Sequence, residues 1–217
     1  HANTRAGSRR NIAAHYDLGN AFYAAWLDPS MLYSSAIYRG SDDTLEMAHR
    51  EKLDRILAAL AVEPGQDLLE IGCGWGQVAV AAARSGARVK AVTISEAQHG
   101  WAKARVESEG LGDRVDVAFE DYRDLAGTYD RIVSIEMIEA VGEENWPTYF
   151  ATLAGRLKPG GAAVLQAITI DEALFDHYRA NPDFIQRYIF PGGMLPTVPR
   201  SEEHTSELQS PCNLVCR

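Results

Sequence analysis

Residues 68–76, with the sequence LLEIGCGWG, constrain the fold more than any other part of the chain. The apolar run from Asp67 to Ile71 predicts a buried parallel strand, and the run from Gln77 to about Arg84 predicts a helix. The glycines between them predict a tight turn where the backbone comes close to a ligand. Strand, glycine turn and helix together predict the first unit of a doubly wound, mostly parallel α/β sheet, whose ligands bind at the carboxyl ends of its strands.

The chemistry of this turn favours S-adenosylmethionine over NAD. Its glycines occupy alternate positions, Gly72, Gly74 and Gly76, whereas dinucleotide enzymes use Gly-x-Gly-x-x-Gly. Glu70, in the strand before them, is placed to bind the charged amine of an aminoacyl group. A nicotinamide enzyme would also hold the ribose with an acidic residue about 20 positions after the glycines, and Thr93 stands there instead. The alternative is a turn that binds no ligand.

Strands and helices continue to alternate after the glycine turn. Apolar runs predict strands at 87–94, 115–119, 129–135 and 162–169. The ends of these strands supply further candidate contacts: Thr93, Ser95 or Gln98 for the ribose, and Asp121 with Tyr122 for the adenine. For Asp121 and Tyr122 the alternative is that both are solvated loop residues.

The segments on either side of the predicted sheet are rich in aromatic residues. Residues 8–27 predict two short helices separated at Gly19-Asn20, and a longer helix precedes the glycine strand. We therefore expect residues 1–60 to form a helical cap and residues 61–199 to form a methyltransferase core. The aromatic side chains of 12–26 and of the predicted helix at 171–190 suit either core packing or the wall of an apolar cavity.

Composition excludes some partners and sets the tail apart. The net charge of −9 argues against nucleic acid as a partner, and no apolar run approaches the roughly 18 residues that span a bilayer. Residues 200–217 resemble the translation of a DNA-sequencing adapter, the alternative being an ordinary polar tail. We therefore expect the natural chain to begin before His1 and to continue after Pro199 with a different sequence. Without the tail Cys73 is the one cysteine, which fits a reducing, cytoplasmic location.

An ordered set of motifs resembles the cyclopropane-fatty-acyl-phospholipid synthases and the related mycolic acid cyclopropane synthases. The set covers nearly all of residues 11–199, and it is much more specific than the glycine turn alone. The matching segments are 16–20 (YDLGN), 22–23 (FY), 27–29 (LDP), 33–36 (YSSA), 69–76 (LEIGCGWG), 93–98 (TISEAQ), 121–124 (DYRD), 130–134 (DRIVS) and 190–193 (FPGG).

The resemblance implies an enzyme that uses S-adenosylmethionine to add a one-carbon unit to the cis double bond of a phospholipid acyl chain. The product is a cyclopropane fatty acyl group, formed through a carbocation. In the family the base is a bound bicarbonate, held by a glutamate, a histidine, a tyrosine and backbone groups near a cysteine. The resemblance also implies unsaturated acyl chains at the inner membrane surface as partner, and it is compatible with a homodimer.

The family's site residues transfer to positions of this sequence. Cofactor contacts map to Tyr33, Ser34, Gly72, Gly74, Thr93, Gln98 and Tyr122. The glutamate of the bicarbonate site maps to Glu139, while the tyrosine lies beyond the matching sequence. Two positions depart from the family pattern, since Ser35 replaces the cysteine and Gln166 replaces the histidine. We keep Glu139, Gln166 and Ser35 as the candidate catalytic residues and assign no metal ligands.

The departure at Gln166 leaves the product open. An amide hydrogen-bonds an anion but cannot carry a charge as histidine does. A cation that loses a different proton would give a methyl- or methylene-branched chain instead of a ring. Two further functions are compatible with the same scaffold, namely a small-molecule N- or C-methyltransferase and a non-catalytic cofactor-binding protein.

Overall fold

The computed structural model describes residues 3–16, 18–205 and 212–216. These residues form six strands of one sheet, in the order β3-β2-β1-β4-β5-β6, and every neighbouring pair is parallel. The strands are β1 (Asp67–Ile71), β2 (Arg88–Thr93), β3 (Val115–Phe119), β4 (Tyr129–Ile135), β5 (Leu157–Ala167) and β6 (Cys212–Cys216). The predicted doubly wound α/β sheet is therefore confirmed.

The strand order reverses at the position that the glycine turn marks. β1 pairs with β2 on one side and with β4 on the other, so the connections run outward in both directions from β1. A crevice forms at the carboxyl ends of the strands where such a reversal occurs. This reversal places the end of β4 beside the glycine turn.

Eight helices are described around the sheet. They are α1 (Arg5–Tyr16), α2 (Asn20–Ala24), α3 (Leu45–Leu60), α4 (Gln77–Arg84), α5 (Glu96–Ser108), α6 (Trp146–Arg156), α7 (Glu172–Ala180) and α8 (Val198–Thr205). The prediction of one helix over 171–190 is wrong. α7 ends before Asn181, because the residue before Pro182 is disfavoured in helical geometry, and a π-helical turn, Ile185–Ile189, follows.

Apolar clusters cover both faces of the sheet, because consecutive residues of a buried parallel strand face opposite sides. Leu68 of β1 packs with the cluster around α3 and α4, whereas Leu69 packs with the cluster around α6. A third cluster of Tyr23, Met31 and Trp75 joins the N-terminal segments to the glycine turn. The N-terminal segments around Tyr23 and Met31 are thus packed against the glycine turn.

Two described elements include residues of the 200–217 tail, which the sequence prediction of the fold did not include. α8 extends past residue 200, and β6 pairs in parallel with β5 from Ala163↔Cys212 to Ala167↔Cys216. The adapter origin of residues 200–217 stays a prediction, and the cavity described below is lined by residues up to Leu195. Among the described helices, none combines the length and apolar character that a membrane crossing requires.

Candidate active site

A cavity of about 720 Å³ lies over the carboxyl ends of β1, β2 and β4. This volume is within the range of roughly 300–1,000 Å³ that ligand pockets occupy. Gly76 and Gln166 lie outside the lining. The cavity is lined by the other eleven predicted site residues: Tyr33, Ser34, Ser35, Glu70, Gly72, Gly74, Thr93, Gln98, Asp121, Tyr122 and Glu139.

The three glycines of the turn have different surroundings. All three have positive φ, which glycine adopts without steric cost. A Cβ on Gly72 would lie 3.0 Å from Met137 Cγ, and one on Gly76 would lie 3.0 Å from Ala102 Cβ. A Cβ on Gly74 would have nothing within 4 Å. Gly76 therefore serves helix packing, whereas Gly74 leaves open space at the cavity wall.

Glu70 is buried beside the glycine turn, with 2% of its surface exposed. Burial raises the pKa of its carboxyl to about 8, although a hydrogen bond from the Ala79 backbone acts in the opposite direction. Its Oε2 has no hydrogen-bond partner among the described residues. A buried carboxylate oxygen without a partner, next to open space at Gly74, fits the ammonium group of S-adenosylmethionine.

The end of β2 is polar but carries no acidic side chain. Thr93 Oγ1 donates a hydrogen bond to Gln98 Oε1 at 3.0 Å, and both side chains are buried. Ser95 caps α5 by accepting from the Gln98 backbone N–H at 3.3 Å. Hydroxyl and amide groups therefore stand where a nicotinamide enzyme holds its ribose with a carboxylate.

Asp121 and Tyr122 follow β3 and line the cavity. Arg123 donates to both oxygens of Asp121, at 2.8 Å from Nε and 2.7 Å from Nη2. Burial opposes ionisation of Asp121, but these bonds outweigh it and hold the pKa of its carboxyl below the usual value. The hydroxyl of Tyr122 is buried without a partner among the described residues. The adenine contact of Asp121 stays a prediction, since the carboxylate is already paired.

Residues 33–35 are held against the cavity by α3. His49 contacts the Ser34 carbonyl at 3.2 Å through Nε2 and Asp28 Oδ1 at 2.6 Å through Nδ1. Lys52 donates to Ser34 Oγ and is 1% exposed. Burial lowers the pKa of Lys52 to about 8, although the charges of Glu136 and Asp28 act to raise it. Sequence reasoning missed His49 and Lys52, because polar residues within an amphipathic helix usually face solvent.

Ser35 and Gln166 meet at Glu136, which sequence reasoning did not assign to the site. Glu136 Oε1 accepts from the Ser35 backbone N–H at 2.7 Å, from Ser35 Oγ at 2.6 Å and from Gln166 Nε2 at 2.8 Å. Glu136 lines the cavity directly after β4. Its place at a strand's carboxyl end was the available indication in the sequence.

Glu139 lies three residues further along and lines the same cavity as a half-buried side chain. Burial raises the pKa of its carboxyl to about 7, and the charge of Glu136 adds to this effect, although hydrogen bonds from backbone groups oppose it. Oε1 accepts from the Ile168 backbone N–H at 2.5 Å, whereas Oε2 has no partner among the described residues. The site therefore contains two carboxylates in different environments.

The sequence profile described as "Mycolic acid cyclopropane synthetase" matches residues 3–212. The chain belongs to this family. It is 45% identical over 201 residues to the tuberculostearic acid methyltransferase UfaA1 of Mycobacterium tuberculosis, covering 89% of this chain and 47% of that protein. It is 42% identical over 185 residues to the cyclopropane-fatty-acyl-phospholipid synthase of Escherichia coli K12, covering 85% of this chain and 46% of that protein. The chain thus spans about half the length of these relatives.

A solved member of the mycolic acid cyclopropane synthetase family has the same fold. The mycolic acid cyclopropane synthase CmaA1, crystallised with SAH and CTAB, superposes with a TM-score of 0.85 at 32% identity. The match covers 93% of this chain and 74% of the CmaA1 chain. This likeness confirms the doubly wound α/β fold of the chain.

The bicarbonate that the family resemblance implies does not fit the residues present here. The N–H and hydroxyl of Ser35 and the amide of Gln166 already donate to Glu136. The Ile168 N–H already donates to Glu139. A bicarbonate placed among these groups would meet two carboxylates and would find these donors occupied. An unpaired negative charge in such a site is costly to bury.

Much of the remaining cavity wall is apolar and comes from the N-terminal segment and from the segment after β5. Ile12 and Trp26 contribute from the N-terminal segment, and Tyr178, Ile189 and Phe190 contribute from the segment after β5. His15 Nδ1 lies 2.9 Å from the Ile189 carbonyl, which joins the two segments. The cavity therefore combines a polar end at the glycine turn with an apolar end suited to a hydrocarbon.

Proposed function

We propose that this chain carries the catalytic unit of an enzyme that transfers a methyl group from S-adenosylmethionine to the cis double bond of a phospholipid acyl chain. The observation that carries the proposal is a single cavity that joins the glycine turn to an apolar wall. The expected product is a cyclopropane fatty acyl group, and a methylene-branched acyl group is the alternative. Residues 1–60 would act as the cap of this cavity.

The glycine-turn end of the cavity would hold the cofactor. Glu70 would pair with its ammonium group, Gly72 and Gly74 would allow close approach of the backbone, and Thr93 with Gln98 would bind the ribose. Tyr122 would lie beside the adenine. When bound, S-adenosylmethionine supplies an electrophilic methyl group. The protein's contribution is to orient the double bond towards that group and to keep water out, because an alkene is a weak nucleophile.

The apolar end would hold the acyl chain. Aromatic faces such as those of Tyr16 and Tyr33 would also stabilise positive charge on the chain. Apolar side chains near this end reach the surface, with Trp26 48% exposed, Ile185 50% and Tyr188 70%. Exposed apolar groups of this kind commonly mark interaction sites. They support docking on a membrane surface, whereas the net charge of −9 disfavours nucleic acid.

A methylene-branched product is the second candidate, and two observations favour it. The site lacks the histidine and cysteine of the cyclopropane synthase pattern, having Gln166 and Ser35 instead. A relative that is 45% identical is named a tuberculostearic acid methyltransferase. Proton loss from the carbocation forms either a ring or a new double bond, so both products come from the same first step.

Lipid mass spectrometry tests the function. Cells expressing the intact gene should add one CH2 unit to unsaturated phospholipid acyl chains, and cells with the empty vector should not. Growth on methionine with a deuterated methyl group reports the proton loss, because a ring or a methylene branch retains two of the three deuterons. Chromatography against a cyclopropane standard separates the two products. No mass gain on unsaturated chains would refute the proposal.

A further inference from the structure

The Glu136 carboxylate is held by the groups that would otherwise bind a small anion. Its Oε1 accepts three hydrogen bonds, two from Ser35 and one from Gln166, all between 2.6 and 2.8 Å. Ser35 lies 101 residues before Glu136, and Gln166 lies 30 residues after it. Three converging donors fix the carboxylate in one position.

The backbone of Glu136 also indicates a fixed position. Its φ is +45°, one of three positive values among the described residues other than glycine. Such a conformation is uncommon for a side chain larger than that of asparagine, and strained residues of this kind cluster at active sites. The Glu136 N–H donates to the Gln166 carbonyl at 2.7 Å, so the backbone of β5 holds the residue at the cavity wall.

We propose that Glu136 supplies the base of the reaction from the chain itself and that the enzyme needs no bicarbonate. The inference rests on the proposed function, because it assigns the base of that reaction. Ser35 and Gln166 stand where the family pattern has cysteine and histidine. Both donate to Glu136, so the two departures from the family pattern converge on one carboxylate.

The proposed step balances without another reactant. Methyl transfer breaks the bond between sulfur and the methyl carbon, forms a carbon–carbon bond at one alkene carbon and leaves a carbocation at the other. For the ring, Glu136 takes a proton from the transferred methyl group, and the electron pair of the broken C–H bond closes the ring onto the cationic carbon. For the methylene branch, a hydride first moves from the methyl-bearing carbon to the cationic carbon, and the same proton loss from the methyl group then forms the new double bond. Glu136 becomes a carboxylic acid, which returns its proton to solvent as the product leaves.

The test compares the intact wild-type protein with Glu136→Gly. Glycine accepts the φ of +45° without strain and removes the carboxylate that occupies the donors. Ala61→Gly is the matched control, because Ala61 has the same φ of +45° and lies outside the cavity lining. All three proteins are assayed with S-adenosylmethionine and vesicles of an unsaturated phospholipid. The buffer is purged of carbon dioxide and then supplemented with bicarbonate.

We expect wild type and Ala61→Gly to be equally active with and without bicarbonate. Glu136→Gly should lose about 100-fold in turnover, the scale on which a positioned base contributes. Added bicarbonate or formate should restore part of this loss in a concentration-dependent way. Wild-type turnover that requires bicarbonate, or full activity of Glu136→Gly in purged buffer, would overturn the proposal.

A binding measurement separates this proposal from the proposed function. Line broadening of ¹³C-bicarbonate in NMR should be absent with wild type and present with Glu136→Gly, both saturated with S-adenosylhomocysteine. This readout needs no turnover, so it remains decisive if the lipid substrate is wrong. Saturable bicarbonate binding to wild type would overturn the role of Glu136. A wild type inactive on every unsaturated phospholipid would instead overturn the proposed function.

Discussion

The two halves of the cavity are built in different ways. The cofactor half, formed by residues 70–98 and 121–122, consists mainly of backbone, glycines and neutral polar groups that follow one another along the chain. The reaction half, formed by Ser35, Glu136 and Glu139, with Gln166 donating to Glu136 from outside the lining, consists of side chains brought together from distant positions. Local sequence therefore specifies the cofactor half, whereas the tertiary fold is needed to assemble the reaction half.

The largest expected effect is a loss of turnover on substituting Glu139, which belongs to the reaction half and not to the cofactor half. Glu139→Gln removes a buried carboxylate from the reaction half and leaves the glycine turn untouched. We expect turnover to fall by about 100-fold or more, the scale of acid–base groups, with the affinity for S-adenosylhomocysteine unchanged. Assays of turnover and calorimetry on the same preparation check this.

The control for this change is Glu144→Gln, an exposed carboxylate five residues away that does not line the cavity. It should retain wild-type turnover and affinity. If Glu139→Gln were fully active, Glu139 would have no place in the reaction half, and the contrast between the halves would rest on Glu136 alone.

The pH dependence of stability tests a feature that both halves share, namely a glutamate whose pKa is raised by burial. Glu70 and Glu139 have pKa values of about 8 and 7, above their ordinary value of 4.5 because both are buried. Between pH 4.5 and the raised pKa values, the folded state therefore binds more protons than the unfolded state. Their contribution to stability is complete below pH 4.5 and is lost as the pH rises through 7 and 8.

We expect the free energy of unfolding, without cofactor, to fall by several kcal/mol between pH 5 and pH 8, given roughly 1.4 kcal/mol per pKa unit. Urea titrations at both values measure it. His15 acts in the opposite direction, since burial lowers its pKa. Glu70→Gln should therefore flatten the dependence, and Glu46→Gln at the surface should leave it unchanged. A slope unaffected by Glu70→Gln would contradict the shift assigned to Glu70.

The sequence predicted the cofactor half well because its physical determinants are local. Strand bounds at 67–71, 115–119 and 129–135 agree with the structure, since each is an apolar run ended by turn residues. The ends of β2 and β5 were shifted by one to five residues. The start of β5 was missed because residues 157–161 were interpreted as a turn, although Leu157 already pairs with Tyr129 and pairing resumes at Ala162 after an irregularity. The bend at Pro182 was missed because aromatic residues on both sides followed helical spacing.

The reaction half was only partly predictable. Ser35, Glu139 and Gln166 came from the family resemblance, and their roles remain predictions. Glu136 was visible only as a carboxylate at a strand end, and nothing local indicated that two residues at distances of 101 and 30 positions would donate to it. Lys52 was also hidden, because its partner Ser34 belongs to a segment without regular structure.

A glycine substitution tests the cofactor half directly. Gly74→Ala places a methyl group in the open space at the cavity wall. We expect the affinity for S-adenosylhomocysteine to fall about tenfold, equivalent to 1.4 kcal/mol, because the backbone can no longer approach the ligand closely. Calorimetry measures this.

The matched control is Gly110→Ala, where the glycine also has positive φ and open space around it but lies in an exposed turn. Both variants carry similar backbone strain, so their thermal stabilities should fall by similar amounts. Equal affinities in the two variants would place the cofactor away from Gly74.

The smallest expected effect concerns the contact between the N-terminal cap and the cofactor half. Trp75 Nε1 donates to Asn20 Oδ1 at 2.8 Å, and Trp75 is 3% exposed. Asn20→Ala leaves a buried N–H without a partner, which costs about 1 kcal/mol and should lower the melting temperature by roughly 2–4 °C in a chain of this size. The affinity for S-adenosylhomocysteine should change less than threefold, since Asn20 does not line the cavity. Asn181→Ala, an exposed amide at the end of α7, should change neither quantity appreciably. An affinity loss as large as that of Gly74→Ala would mean that the cap helps to bind the cofactor, and the boundary between the halves would then include α2.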